Sequence, residues 1–396
     1  MAHGSVAIFF VAFLTIAFCT LVSVNGFSCK NNDNQDVDWF IVYKLPKITH
    51  HEQKTVRDGR AFLYMDEREK VWDFKPEKSI DKNDHAVFFT LNQLYHNLPN
   101  DATYLLYSDS TPDGKKNKKK AHAKGILLFD RNALGFLMIH SVPKFPVSPN
   151  VRSQYSWASN ADDNGQILFC KTYGDGNEGI MGRIMYRIYR YEAQIYDIQN
   201  PHNIEPRPLK RERDEVSVHI ERPSKRQAFA LEPVDEDHEE DGQFISFAKP
   251  RVVDSTVTIG TDIYTYLADR LKLRGVFVES WRNGAGGKFM SCHGKNRYTN
   301  EMYKVENIKE LKFTIGIYNI QFTTTKDHSK WAVSQDQGKP WICIGDLNRF
   351  ESQTRRGGGL ACMQDETVWK QFNNSIHDVE RVKIDEKHKC PPPTKK

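Results

Sequence analysis

One short motif occurs twice in this 396-residue chain, far apart: His122-Ala123-Lys124 and His328-Ser329-Lys330. Each opens a strand-like run, a turn and a second strand-like run. The first leads into Gly125-Ile126-Leu127-Leu128-Phe129, a turn at Asp130-Arg131-Asn132, and Phe136-Leu137-Met138-Ile139 ending in His140-Ser141. The second leads into Trp331-Ala332-Val333, a turn through Asp336-Gln337-Gly338, and Trp341-Ile342-Cys343-Ile344 ending in Gly345-Asp346-Leu347-Asn348. In an extended strand residues i and i+2 share a face, so each triplet presents an imidazole and an ammonium to one ligand. Two such hairpins facing each other surround a phosphate with two imidazoles and two cations. A chain built this way has two comparable halves, each carrying one hairpin in a sheet.

The rest of the chain supports that order. Residues 37–45 and 102–107 are aromatic and β-branched and read as strands. Residues 84–95 read as a helix, and so do 262–273, where Ile263, Tyr266, Leu267 and Leu271 recur at helical spacing. Residues 243–257 read as extended chain, and 276–281 and 313–322 as strands. The two halves thus share a sequence of strands and helices, then His-x-Lys, then a hairpin, a weak repeat in pattern more than in identity. The expected fold class is α/β (α+β mixed), with two pseudo-equivalent halves, each a central sheet flanked by helices. The halves span residues 27–204 and 243–396. Between them, residues 205–242 open basic and close acidic (Asp235 to Asp241), with few large apolar residues, and read as a charged, disordered insertion.

Residues 1–26 hold no Lys, Arg, Asp or Glu, are apolar from Val6 to Val24, and end in a small residue, as a cleaved signal peptide does. An uncleaved anchor is the competing reading, because the apolar run is long. Of seven cysteines, Cys19 lies in this leader. The remaining six, Cys29, Cys170, Cys292, Cys343, Cys362 and Cys390, read as three disulfides of a secretory protein, with about 15 possible connectivities. No C-x-x-C pair or His partner at ligand spacing supports a metal site. One glycosylation sequon begins at Asn373.

The triplets suit phosphodiester cleavage. A neutral imidazole can attack phosphorus, a protonated one can donate to the leaving oxygen, and two lysines supply fixed positive charge on the non-bridging oxygens. No cofactor is called for. One His-x-Lys is worthless as a signal because the spacing occurs by chance; two, each opening a comparable hairpin, count for more. H-E-x-x-H, G-x-S-x-G and a phosphate-binding glycine loop are absent. The run Lys115-Lys116-Asn117-Lys118-Lys119-Lys120 beside the first triplet reads as a solvated loop tip in preference to a phosphate contact, and Arg355-Arg356-Gly357-Gly358-Gly359 equally as a flexible turn or a binding loop.

Several stretches together resemble the deoxyribonuclease II family: Val37-Asp38-Trp39-Phe40-Ile41-Val42-Tyr43-Lys44-Leu45-Pro46, His122-Ala123-Lys124-Gly125, His140-Ser141-Val142-Pro143-Lys144-Phe145-Pro146, Gly165-Gln166-Ile167-Leu168-Phe169-Cys170, Asp327-His328-Ser329-Lys330-Trp331, and Gly345-Asp346-Leu347-Asn348-Arg349 with Arg356-Gly357-Gly358-Gly359. They lie in the family's order and cover nearly the whole chain after the leader. The resemblance implies a phospholipase D-like fold and one active site made from both halves. It also implies metal-free cleavage of DNA at acid pH, leaving 3′-phosphate and 5′-hydroxyl ends, in a lysosomal or secreted enzyme. His122, Lys124, His328 and Lys330 match its catalytic motif, with His122 as nucleophile and His328 as acid; His140 and Asn348, which end the paired hairpins, are supporting residues, with a purely structural role for His140 the equal alternative. It further implies the disulfides Cys29–Cys170, Cys292–Cys390 and Cys343–Cys362. Two departures stand out. The wider phospholipase D pattern has an Asp five residues after each Lys, where this chain has Phe129 and Gln335, so no supporting carboxylate is assignable. The charged insertion is also foreign to the family. The competing functions are a lipid phosphodiesterase on the same scaffold, against which the deoxyribonuclease-like stretches argue, and a non-catalytic secreted homologue that binds DNA or host proteins.

Overall fold

In the strand Trp39–Lys44 every residue is buried. Because successive side chains point to opposite faces, a strand with no exposed face must lie inside a layered structure. Trp39, Ile41 and Tyr43 face one core and Phe40 and Val42 another. This is a computed structural model, and it describes residues 26–174, 178–206, 235–238, 243–253, 261–283 and 287–391. The leader and most of the charged segment lie outside the described residues.

The strand Trp39–Lys44 belongs to an 8-stranded sheet whose spatial order is Ile195–Gln199, Thr103–Ser108, Lys124–Phe129, Gly135–His140, Gln166–Tyr173, Trp39–Lys44, Phe62–Asp66 and Asp73–Phe74. A second sheet has the order Asp235–His238, Phe244–Lys249, Gly358–Gln364, Trp341–Gly345, Lys330–Ser334, Gly275–Ser280, Met302–Ile315 and Cys292–Lys295, with two more strands paired to Met302–Ile315. Nearly all pairings are antiparallel; Gly275–Ser280 with Met302–Ile315 is parallel. The architecture is therefore mixed α and β, dominated by sheet.

The inner faces pack on each other: Ile41, Tyr43, Ile167 and Phe169 of the first sheet meet Trp331, Val333, Ile342 and Ile344 of the second. Burying each such side chain contributes about 1.5–3 kcal/mol. Helices close the remaining faces. Ala86–Tyr95 covers the outer face of the first sheet through Val87, Leu91 and Leu94. Glu178–Arg190 presents Met181, Ile184, Met185 and Ile188, one face of a helix, to Leu105, Tyr107, Leu127 and Phe129. Ile263–Arg270 covers the outer face of the second sheet, and the Asp262 carboxylate caps it by accepting from the Tyr264 N–H at 3.1 Å.

The register gives the two halves corresponding places. Lys44 pairs with Gln166 and Lys249 with Gly358; Ser108 pairs with Lys124 and Ser280 with Lys330. The disulfides are Cys29–Cys170, Cys292–Cys390 and Cys343–Cys362, the last between directly paired strands.

Two readings of the sequence need correcting. Residues 313–322 are not one strand: Met302–Ile315 turns at Gly316, whose φ is +55°, and returns as Tyr318–Thr323. Apolar residues continue through this turn, with a one-residue shift of phase at Ile317–Tyr318 that the reading passed over. Within the segment read as disordered, Asp235–His238 forms an edge strand on Phe244–Lys249.

Candidate active site

Each His-x-Lys triplet sits at the start of a strand, and each is held by the opposite half. The strand Trp39–Lys44 ends in Lys44, whose buried Nζ donates to the carbonyls of Ala161, Asp162 and Asn164 at 2.6, 2.8 and 2.6 Å. Those three bonds fix the loop before Gly165. The Gly165 carbonyl then accepts from the backbone N–H of His328 at 2.8 Å. The second half repeats the device: Lys249 Nζ donates to the carbonyls of Thr354, at 2.8 Å, and Arg356, and the Gly357 carbonyl accepts from the His122 N–H at 2.9 Å. Burial pushes both lysines down to about 7. Glycine is required at the crossing, because a Cβ on Gly357 would stand 1.9 Å from the Tyr191 carbonyl oxygen. The glycine run is therefore no flexible turn; Gly358–Gln364 is a central, largely buried strand.

Around His122 the partners are polar. Its Nδ1 lies 2.7 Å from the Asp346 carbonyl. A carbonyl only accepts, so Nδ1 carries the proton and Nε2 of the neutral ring is a free lone pair. Nε2 faces the Asp109 carboxylate at 3.8 Å. Asp109 also pairs with Lys124 at 2.6 Å and with Arg356 of the other half at 3.0 Å. Burial pulls the Asp109 carboxyl upward, but Lys124, His122 and Arg356 hold it well below the usual carboxylate range. Burial, then the Lys124 charge, pushes His122 well below the ordinary imidazole value.

Around His328 the surroundings differ. Trp281 stands edge to face with the imidazole at 3.9 Å between centroids. The preceding Asp327 is fully buried and accepts from the Ser329 N–H at 2.9 Å, from the Ser329 hydroxyl at 2.8 Å, and from the Tyr43 hydroxyl of the first half. Lys330 donates to the His328 carbonyl. Burial, then Lys330 and Lys124, lowers His328 to about 3. Burial, then Lys124, lowers Lys330 to about 7. The Lys330 charge also bears on His122, as the Lys124 charge bears on His328.

The expected supporting residues are less engaged. His140 is buried opposite Lys124, edge-on to Phe145 at 5.5 Å, with neither ring nitrogen bonded. Asn348 lies beyond Asp346 with its Oδ1 unpartnered. Asn373 is half-buried near the end of the helix Glu366–Asn374. Sequence reasoning missed Asp109, Asp346, Arg356, Tyr43 and Trp281. Tyr43, Asp346 and Arg356 stood inside stretches already singled out; that Asp109 and Arg356 meet across 247 residues no local pattern reveals. Among the described residues, no group of three or more His, Cys, Asp or Glu side chains could hold a metal ion, and no helix is long and apolar enough to cross a membrane.

An imidazole lone pair, a second imidazole and two ammonium groups, where they face one ligand, can bind a phosphate anion and exchange a proton across it. The profile of the Deoxyribonuclease II family matches residues 28–382. The chain is 33% identical over 384 residues to Plancitoxin-1 of Acanthaster planci, covering 95% of this chain and 99% of that protein. It is 31% identical over 373 residues to Deoxyribonuclease-2-alpha of Mus musculus, covering 92% and 96%, and 29% identical over 367 residues to Cell death-related nuclease 6 of Caenorhabditis elegans, covering 90% of each. On that match, and on relatives alike over almost their whole length, the chain belongs to the deoxyribonuclease II family of nucleases.

Proposed function

We propose that the protein is a lysosomal or secreted acid endodeoxyribonuclease of phospholipase D-like fold, cleaving double-stranded DNA without a metal to 3′-phosphate and 5′-hydroxyl ends. The observation that carries this reading is the reciprocal placement of His122 and His328, each N–H bonded to the opposite half. Nε2 of His122 attacks phosphorus, because its Nδ1 proton is held by the Asp346 carbonyl. The bond to the 5′-oxygen breaks, and His328 gives that oxygen its proton. The phosphoryl group, still carrying the 3′-oxygen of the upstream strand, is now bonded to His122. Water then attacks phosphorus, His328 takes its proton, and the P–N bond breaks to leave a 3′-phosphate. Lys124 and Lys330 hold the non-bridging oxygens. Asp109 positions Lys124 and steadies the imidazolium of His122.

Burial, and then the neighbouring ammonium groups, keeps both imidazoles neutral in the free site. A phosphodiester anion offsets those charges and lets His328 take up its proton, so protonation of the acid accompanies substrate binding. The test is plasmid cleavage by the disulfide-intact protein at about pH 5 in excess EDTA, on the acid side of the ordinary imidazole range. The expected products accept a 5′-phosphate directly from a kinase and resist 3′ extension until dephosphorylated. Bound but uncut plasmid at every pH, with or without Mg²⁺, would make this a binding homologue on a nuclease scaffold.

A further inference from the structure

The chain's formal net charge is +5, and residues 110–121 hold +4 of it, from five lysines and Asp113. The excess charge is thus concentrated in twelve residues that end one position before His122. That segment is folded onto the site. Ser110 bridges Lys116, the Thr111 N–H donates to the Lys115 carbonyl at 3.0 Å, and the Asn117 N–H donates to the Asp109 carbonyl at 3.1 Å. At its far end the Arg356 guanidinium donates to the Lys120 and Ala121 carbonyls at 2.8 and 3.1 Å. The loop therefore leaves from Asp109 and returns to His122, and its lysines have a set place beside the cleft.

The charge is also unanswered. Lys115 pairs with Asp113 at 2.8 Å. Among the described residues Lys116, Lys118, Lys119 and Lys120 form no ion pair, and Lys116, Lys118 and Lys119 are exposed. The nearby carboxylates are occupied elsewhere: Asp109 by Lys124 and Arg356, and Glu192 by Arg251 at 3.7 Å. Lys144, also exposed, joins the group through its N–H bond to the Ser110 carbonyl at 2.9 Å. Like charges gathered beside Lys124 and Arg356, which share the single Asp109 carboxylate, repel one another. A polyanion passing over the cleft relieves that repulsion. A small diester, reaching only the paired triplets, does not.

We infer that residues 110–121 form a phosphate clamp for duplex DNA beside the catalytic cleft, setting the affinity for DNA and its salt dependence and leaving the chemical step untouched. The inference rests on the nuclease reading and adds the surface that holds the flanking phosphates. Lysines that neutralise phosphates release counterions, and each contributes about −0.9 to the slope of log K against log salt.

The test substitutes Lys116→Gln, Lys118→Gln and Lys119→Gln together, with the matching triple Lys→Arg variant as the charge-conserving control. Binding of a short duplex is measured by anisotropy at pH 5 over a series of NaCl concentrations, in the His328→Ala background so that nothing is cut. The salt slope should fall by about 2.7 in the glutamine variant and stay unchanged in the arginine variant. With His328 intact, KM for plasmid should rise roughly tenfold at physiological salt, as fits the loss of about three phosphate contacts, while kcat stays within twofold. An unchanged slope and KM overturns the clamp, and so does a fall in kcat at constant KM. If the parent protein fails to cut DNA yet the glutamine variant still flattens the salt slope, the nuclease reading falls and the clamp stands.

Discussion

The backbone N–H of His122 donates to the carbonyl of Gly357 at 2.9 Å, so the first catalytic candidate is positioned by the half of the chain that does not contain it. His328 repeats the bond to Gly165 at 2.8 Å. Neither half can present its triplet correctly unless the other has folded and docked. This makes the glycines at the crossing as consequential as the triplets.

Gly357→Ala is the direct consequence. Its Cβ would meet the Tyr191 carbonyl oxygen at 1.9 Å, a backbone atom that cannot rotate away. Stability should fall by about 1–3 kcal/mol, the usual cost of overpacking, and plasmid cleavage should fall further, because His122 loses its register. Thermal unfolding and kcat measured on one preparation check both parts; wild-type values in both would show that the crossing is not tight.

Tyr43→Phe tests the clamp on the second triplet. Tyr43 reaches from the first sheet to Asp327, and its hydroxyl also lies 2.8 Å from the Ser329 hydroxyl. Removing it leaves one buried carboxylate oxygen short of a donor, at a cost of about 1–3 kcal/mol. Urea unfolding should show that loss, with activity reduced and its pH profile altered. No change in either would mean that the Ser329 bonds alone hold Asp327.

Two buried groups add to the pH dependence of DNA binding that proton uptake by His328 brings. Burial lowers Lys330 to about 7 and raises Asp346 to about 7. Below that value Lys330 is charged and Asp346 neutral; above it Lys330 becomes neutral and Asp346 gains a negative charge. The site therefore loses two units of positive charge as pH rises through 7, and a phosphate is held better in acid. Duplex binding to the inactive His122→Ala variant at fixed ionic strength should weaken by about tenfold or more between pH 5 and 8, given the strength of charge pairs at such separations. An affinity flat across that range would contradict the assignment of these groups to the phosphate site.

Much of this was readable from residues alone, because the signals are local. The strand ending in Lys44, the capped helix beginning after Asp262 and the two hairpins each follow from periodicity and turn chemistry over ten or so residues. The four site residues were marked by a spacing of two in an extended chain. What periodicity could not supply were contacts between the halves. Asp109 touches Arg356, Tyr43 touches Asp327, and Lys44 and Lys249 hold the loops that accept the histidine N–H bonds. A lysine at a strand end looks like any solvated lysine until the loop over it is known. The turn at Gly316 was hidden for a different reason, since apolar residues alternate on both sides of it and the phase shifts by only one residue, at Ile317–Tyr318.

The central claim is that the two triplets form one active site in which His122 attacks. The most direct measurement is a denaturing, alkaline quench of the protein turning over labelled DNA at about pH 5 in EDTA, within reach of imidazole titration, followed by peptide mapping. The account predicts label bound through phosphorus to Nε2 of His122, absent from His122→Ala and never found on His328. Label on His328, or efficient cleavage by His122→Ala, would contradict it.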